Sequence, residues 1–158
     1  MAKAIPEGYG TVTPYLVVKD AGKAIEFYKR AFGAQEVMRM AGPGGHRVMH
    51  AEIKIGDSWV FMSDEFPGMG GKSPETVGAV TASLHIYCED VDAAFQKAVE
   101  AGAKTTMPPA DMFWGDRYAK ITDPFGHEWG LATHKEDLTQ EEMAKRAEAF
   151  FASMSSSH

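Results

Sequence analysis

Residues 11–33, TVTPYLVVKDAGKAIEFYKRAFG, and residues 81–102, TASLHIYCEDVDAAFQKAVEAG, decide the fold. Each begins with a run rich in β-branched and aromatic residues, which reads as a strand. Each then meets an aspartate, Asp20 or Asp90, placed to cap a helix N-terminus. Apolar residues follow at helical spacing. In the first stretch they are Ala24, Ile25, Phe27, Tyr28, Ala31 and Phe32; in the second, Ala94, Phe95, Ala98, Val99 and Ala101. Gly33 and Gly102 close the two helices.

Outward from each stretch the pattern continues as three strands, at 35–40, 46–55 and 58–63 and again at 104–107, 117–122 and 127–133. Gly42–Gly45, Gly56-Asp57 and Asp123-Pro124-Phe125-Gly126 supply turns. Sliding the chain on itself by 70 residues aligns Thr11 with Thr81, Asp20 with Asp90, Gly45 with Gly115, Arg47 with Arg117, Gly56 with Gly126 and Trp59 with Trp129. The predicted fold is therefore α+β: two tandem βαβββ modules forming an open, cleft-enclosing mixed sheet, plus a C-terminal helix. Residues 1–158 read as one domain, with modules at 11–64 and 81–134, a connecting loop at 65–80 and the last helix at 137–154. Within the loop, Gly71-Lys72-Ser73 resembles the end of a phosphate-binding loop, but Phe66 stands where that motif needs its first glycine.

Strand parity assigns faces. It predicts Leu16, Val18, Leu84, Ile86, Cys88, Trp59, Phe61, Trp129 and Leu131 under the helices. It sends Thr13, Tyr15, Ser83, His85, Tyr87, Val60, Met62, Glu128 and Gly130 to the cleft, with His50, Glu52, Tyr118, Lys120 and Thr122 beside them.

Composition narrows the function. Hydrophobic residues make up 44% and charged residues 24% of the chain, an ordinary globular balance. A net charge of -6 without a basic patch argues against nucleic acid as a partner. No apolar run approaches the roughly 20 residues of a membrane span. One cysteine, Cys88, allows neither an internal disulfide nor a four-thiolate zinc site, and a cytoplasmic location is expected. Ten methionines and seventeen aromatic residues suffice for a core and a pocket.

Several longer runs resemble the vicinal oxygen chelate superfamily (the glyoxalase/bleomycin-resistance/extradiol-dioxygenase fold), and within it the PhnB-like branch. They are Pro14–Val18, the helix segment Ala24 to Ala34, Met49-His50-Ala51-Glu52, Phe113–Tyr118, and Asp123–Trp129. The resemblance implies paired βαβββ modules and a homodimer. Metal-using members draw His, Gln or Glu ligands from the first and last strand of each module. The corresponding positions here are Thr13, Val60, Ser83 and Gly130, which make no competent ligand set for zinc, iron or manganese. The leading expectation is thus a bleomycin-resistance-like protein that binds an aromatic or amphipathic small molecule between its modules without a metal cofactor. The alternative is a lyase, isomerase or dioxygenase with a displaced Zn, Fe or Mn site at His50, Glu52, His85 and Glu128. A third reading makes His85 and Glu128 a metal-free acid–base pair. Tyr15, His50, Tyr87, Trp114, Arg117 and Tyr118 are the candidate ligand contacts. Arg117, with Arg47, suits either an anion clamp or an ion pair at a strand end. Trp114 suits either a lid or a dimer contact. Trp59 and Trp129 read as core anchors.

Overall fold

The computed structural model describes residues 1–156; the final two residues of the expected domain lie outside the described part. The first module runs β1 (Tyr15–Val18), α1 (Ala21–Phe32), β2 (Gln35–Ala41), β3 (Val48–Ile55) and β4 (Ser58–Asp64). A single turn of helix, α2 (Pro74–Val77), interrupts the connecting segment. The second module runs β5 (Ser83–Tyr87), α3 (Val91–Ala101), β6 (Lys104–Asp111), β7 (Asp116–Thr122) and β8 (Glu128–His134), and α4 (Gln140–Ser155) closes the chain. The sheets are separate, four-stranded and mixed, ordered β1-β4-β3-β2 and β5-β8-β7-β6, with β1∥β4 and β5∥β8 as the parallel pairs.

Local chemistry sets the helix ends. The Asp20 and Asp90 carboxylates accept from the amides of Lys23 and Ala93, three residues on. Gly33 stops α1 in the left-handed conformation, at φ 68°. The first amides of α1 and α3 are tied back to the last strand of their own sheets. Ala21 N donates to buried Asp64 at 2.7 Å, and Val91 N donates to Thr133 Oγ1 at 2.8 Å. α4 begins with a reciprocal capping box between Thr139 and Glu142.

β6 extends to Asp111, past the end expected at residue 107, through Pro108 and Pro109. It is an edge strand, and its register with β7 shifts between Met107 and Ala110. Edge position and bulge are the two settings in which a sheet tolerates proline.

The helix-covered faces of the two sheets share one core. Leu16, Ile53, Val60 and Met62 of the first sheet join Ile121 and Trp129 of the second, with Ile25, Phe27 and Tyr28 of α1 between them. Buried Asp123 of the second module joins it to the first through residues far apart in sequence. Its carboxylate accepts from Tyr28 Oη at 2.6 Å, Trp129 Nε1 at 2.8 Å, and the amides of Phe125 and His127 at 2.9 and 3.0 Å. Removing a buried acceptor strands all of its donors. Asp123→Ala is therefore expected to cost about 3–5 kcal/mol. Tyr28→Phe, which removes one donor, is expected to cost about 1–2 kcal/mol. Urea denaturation followed by circular dichroism checks both values.

Candidate functional site

The side chains on the sheet faces away from the helices fall into matching rows. Tyr15, Phe61 and Glu52 lie side by side on the first sheet. His85, Gly130 and Lys120 form the corresponding row on the second. The core-facing rows Leu16–Met62–Ala51 and Ile86–Leu131–Ala119 show the true correspondence. The first strands are related by a spacing of 70, but the last strands by 69. A one-residue slip exchanges the faces of a strand. Val60 and Met62 accordingly enter the core, 4% and 0% exposed, while Trp59 and Phe61 take the open face, the reverse of the expectation. In the second module Trp129 and Leu131 are buried and Gly130 and Glu128 lie on the open side, as parity predicts.

On the first open face a hydrogen-bonded chain crosses the sheet. Tyr9, in the segment before β1, donates to Glu52 Oε2 at 2.5 Å. Glu52 Oε1 lies 3.1 Å from His50 Nε2, and His50 Nδ1 lies 2.9 Å from Tyr15 Oη. Glu52 is 8% exposed, whereas Tyr15 is 49% exposed. The Glu52 carboxylate, through its hydrogen bond and its charge, raises the pKa of Tyr9. Tyr9 also stacks on Trp59 with centroids 4.3 Å apart, and Trp59 Nε1 donates to Gly8 O. Phe61 packs between Tyr9, Tyr15 and His50.

The second open face pairs the same residue types in exchanged positions. His85 stacks on Tyr118 with centroids 5.7 Å apart and an 18° interplanar angle. Gly130 makes this possible: a Cβ there would lie 2.9 Å from Tyr118 and 3.0 Å from His85 Nδ1. Buried Asp116 anchors the surroundings. It accepts from Tyr87 Oη at 3.0 Å and Trp114 Nε1 at 3.2 Å, and lies 2.7 Å from His134 Nδ1. Trp114 meets Tyr118 edge-on and continues through Phe113 to Phe150 and Phe151 of α4.

The expected site residues therefore divide. Tyr15 and His50 meet on one face; His85, Tyr87, Trp114 and Tyr118 meet on the other. Glu128 lies one row from His85, with no hydrogen bond between them. Arg117 belongs to the opposite face, where it holds Asp92 at 2.7 Å and Asp111 at 3.2 Å, an ion-pair role at the strand end. Arg47 lies over the Phe66 ring. Cys88 is partly buried, and burial pushes its thiol pKa up, away from nucleophilic use. The roles of Asp116 and Phe61 were not predicted, and nothing before the first strand marked Tyr9.

The positions that would hold the superfamily's metal do not fit one within this chain. Val60 points into the core, Phe61, the true counterpart of Gly130, has no donor atom, Gly130 has no side chain, and Thr13 and Ser83 offer neutral hydroxyls. His50 has both ring nitrogens engaged. Among the described residues no three His, Cys, Asp or Glu side chains gather as a ligand set.

A groove of about 1070 Å³ separates the modules. Tyr9, Trp59 and the β3–β4 turn wall one side; His85 and Tyr87 of β5 wall the other, with Trp129 also lining it. Thr13, Val60 and Ser83 also border it, while Tyr15, His50 and Tyr118 do not.

Two βαβββ modules built on one internal repeat, with helix-covered faces fused and opposite faces open, define the class of fold. The chain belongs to the glyoxalase/bleomycin resistance protein/dioxygenase superfamily, whose family profile matches residues 9–131. An uncharacterized protein of Mycobacterium tuberculosis is 42% identical over 135 residues, covering 84% of this chain and 79% of that relative. The crystal structure of an Arabidopsis thaliana gene product superposes with a TM-score of 0.64 at 29% identity, over 78% of this chain and 98% of that one. The fosfomycin resistance protein FosX of Listeria monocytogenes, solved with Mn(II) and sulfate, gives a TM-score of 0.62. At 18% identity, over 84% of this chain and 95% of FosX, it shares the fold. Among the described residues no helix is long and apolar enough to cross a membrane.

His134 offers a pH-dependent contact at the edge of this region. Hydrogen bonds to Asp137 and Asp116 raise its pKa above the usual 6.5. A raised folded-state value contributes stability that is full below about pH 6.5 and is lost as pH rises through the raised value. Amide protection at the start of α4, corrected for intrinsic exchange rates, should fall across that window, and His134→Gln should flatten the dependence.

Proposed function

We propose that this protein binds a small, flat, aromatic or amphipathic molecule in the groove between its modules and does so without a metal. The groove itself carries the reading: about 1070 Å³, bounded by Tyr9, Trp59, His85 and Tyr87, is of the size and aromatic character that ligand sites require. Tyr87 is 64% exposed, yet its hydroxyl is held by buried Asp116, so the ring is presented at little further entropic cost. The Asp116 hydrogen bond also raises the Tyr87 pKa. His85 supplies a polar handle, with Glu128 one row away on the same face. Trp114 and Tyr118 extend the aromatic wall beyond the groove.

A homodimer belongs to the same reading. β1 and β5 are edge strands, and the open faces of the two sheets look away from the shared core. A second copy brings such faces opposite one another. Light scattering coupled to size exclusion, giving twice the 17.2 kDa chain mass, is the expected result. A cytoplasmic location is consistent with a single cysteine that has no partner thiol.

Trp59 and Trp129 border the groove, so a bound aromatic compound should quench tryptophan fluorescence. Tyr87→Ala is expected to weaken a screened ligand about tenfold or more, consistent with loss of an exposed aromatic anchor worth over 1 kcal/mol. Metal well below one equivalent per chain is expected by elemental mass spectrometry of untagged protein. One zinc, iron or manganese per chain, lost in His50→Ala or His85→Ala, would replace this reading with the metal-dependent one.

A further inference from the structure

We propose that Tyr15, His50 and Glu52 form a metal-free proton relay, making the open face of the first sheet a general acid–base site for carbon acids. Tyr15 and His50 do not border the groove, whose wall meets this face at Tyr9 and Trp59.

The geometry runs from inside to outside. Glu52 is nearly buried and has both oxygens engaged, one by Tyr9 and one by His50. An ionised carboxylate only accepts, so His50 Nε2 carries the proton that lies toward it. The lone pair of His50 Nδ1 then faces the Tyr15 hydroxyl at 2.9 Å, and Tyr15 donates. A base held by a third group, with a hydroxyl in hydrogen-bond reach, is the arrangement that activates an otherwise weak oxygen. Tyr15 is half-exposed, and its hydroxyl would have been satisfied by water alone. The imidazole instead is oriented by a buried anion at one nitrogen and delivers its basicity to an accessible oxygen at the other.

The surroundings indicate the substrate class. Phe61 lies edge-on to both Tyr15 and His50, an apolar floor for a flat group. Met40 and Met38 pair with His50 and Glu52 from β2. Lys54, one row along and over the Trp59 ring, is the cation on this face. An aromatic compound with a carboxylate and a C–H beside a carbonyl matches that set. As Tyr15 Oη takes the C–H proton, its own proton passes to His50 Nδ1, and the C–H electron pair becomes the enolate. The resulting imidazolium faces Glu52. Return of the proton to either end of the enolate restores every group, so no oxidant, reductant or metal is consumed.

Phenylpyruvate in D₂O is the probe. Loss of its C3 protons is followed by ¹H NMR, with saturation transfer reporting binding in the same sample. Intact protein is expected to accelerate exchange about 10²-fold over buffer at equal pH. Tyr15→Phe and His50→Gln, checked for folding by circular dichroism, are expected to lose at least about tenfold of that rate, and Tyr15→Phe to retain binding. Binding without acceleration overturns the relay, as does acceleration that survives both substitutions. Absence of phenylpyruvate binding overturns the assigned substrate class and with it the proposal. Loss of the saturation-transfer signal in Tyr87→Ala would place the compound in the groove and overturn the proposal.

Discussion

The buried carboxylate of Asp123 is the constraint on which the remaining architecture rests. It sits in the turn between the last two strands of the second module, yet its most distant donor, Tyr28, belongs to the helix of the first. A carboxylate taken out of water is costly unless every lone pair finds a donor. Two backbone amides of its own turn and the Trp129 indole complete the set. The turn cannot relax without exposing these groups, and α1 cannot leave without stranding the Tyr28 phenol. The turn is fixed from outside as well: Gly126 has φ 94°, and a Cβ there would meet Pro74 at 2.7 Å. Fixing the modules through one polar joint also fixes the groove between them.

The caps made much of this architecture legible in the sequence. Asp20, Asp90, Gly33 and Gly102 perform backbone tasks that few residue types can perform, so their recurrence marked both helices. The placement of His50 and Glu52 on one open face followed from period-two geometry alone. The faces of β4 were not legible, for a specific reason. Its stretch Trp59-Val60-Phe61-Met62 is apolar at every position, so alternation cannot choose a side. The choice falls to hairpin length, and the β3–β4 and β7–β8 hairpins differ. The identity of Trp59 with Trp129 therefore misled: one ring packs in the core and the other lies under Tyr9 on the open face. The hub role of Asp116 was equally hidden, because its partners Tyr87, Trp114 and His134 come from three separate segments.

Once the correct spacing is applied, the repeat shows how one scaffold holds the same pair of residue types in two arrangements. Tyr15 corresponds to His85, His50 to Tyr118, Phe61 to Gly130 and Glu52 to Lys120. Each open face thus holds a Tyr–His pair, with the two types exchanged between strands. In the first module the pair is hydrogen-bonded, with ring planes 40° apart. In the second the rings are near parallel and make no hydrogen bond to one another.

The residues beside each pair account for the difference. Phe61 fills the centre of the first face, so Tyr15 and His50 meet past its edge, through their polar atoms. Gly130 leaves the centre of the second face empty, and His85 and Tyr118 close over the bare backbone until their rings stack. Glu52 gives His50 an acceptor that fixes its proton on one nitrogen and frees the other. Lys120, a donor in the same row, gives Tyr118 and His85 no such acceptor. A carboxylate beside a filled centre makes a directed hydrogen-bond chain, whereas a cation beside an empty centre makes an aromatic platform. The two halves of one repeated fold thus hold the same pair of residue types in a hydrogen bond on one face and in a ring stack on the other.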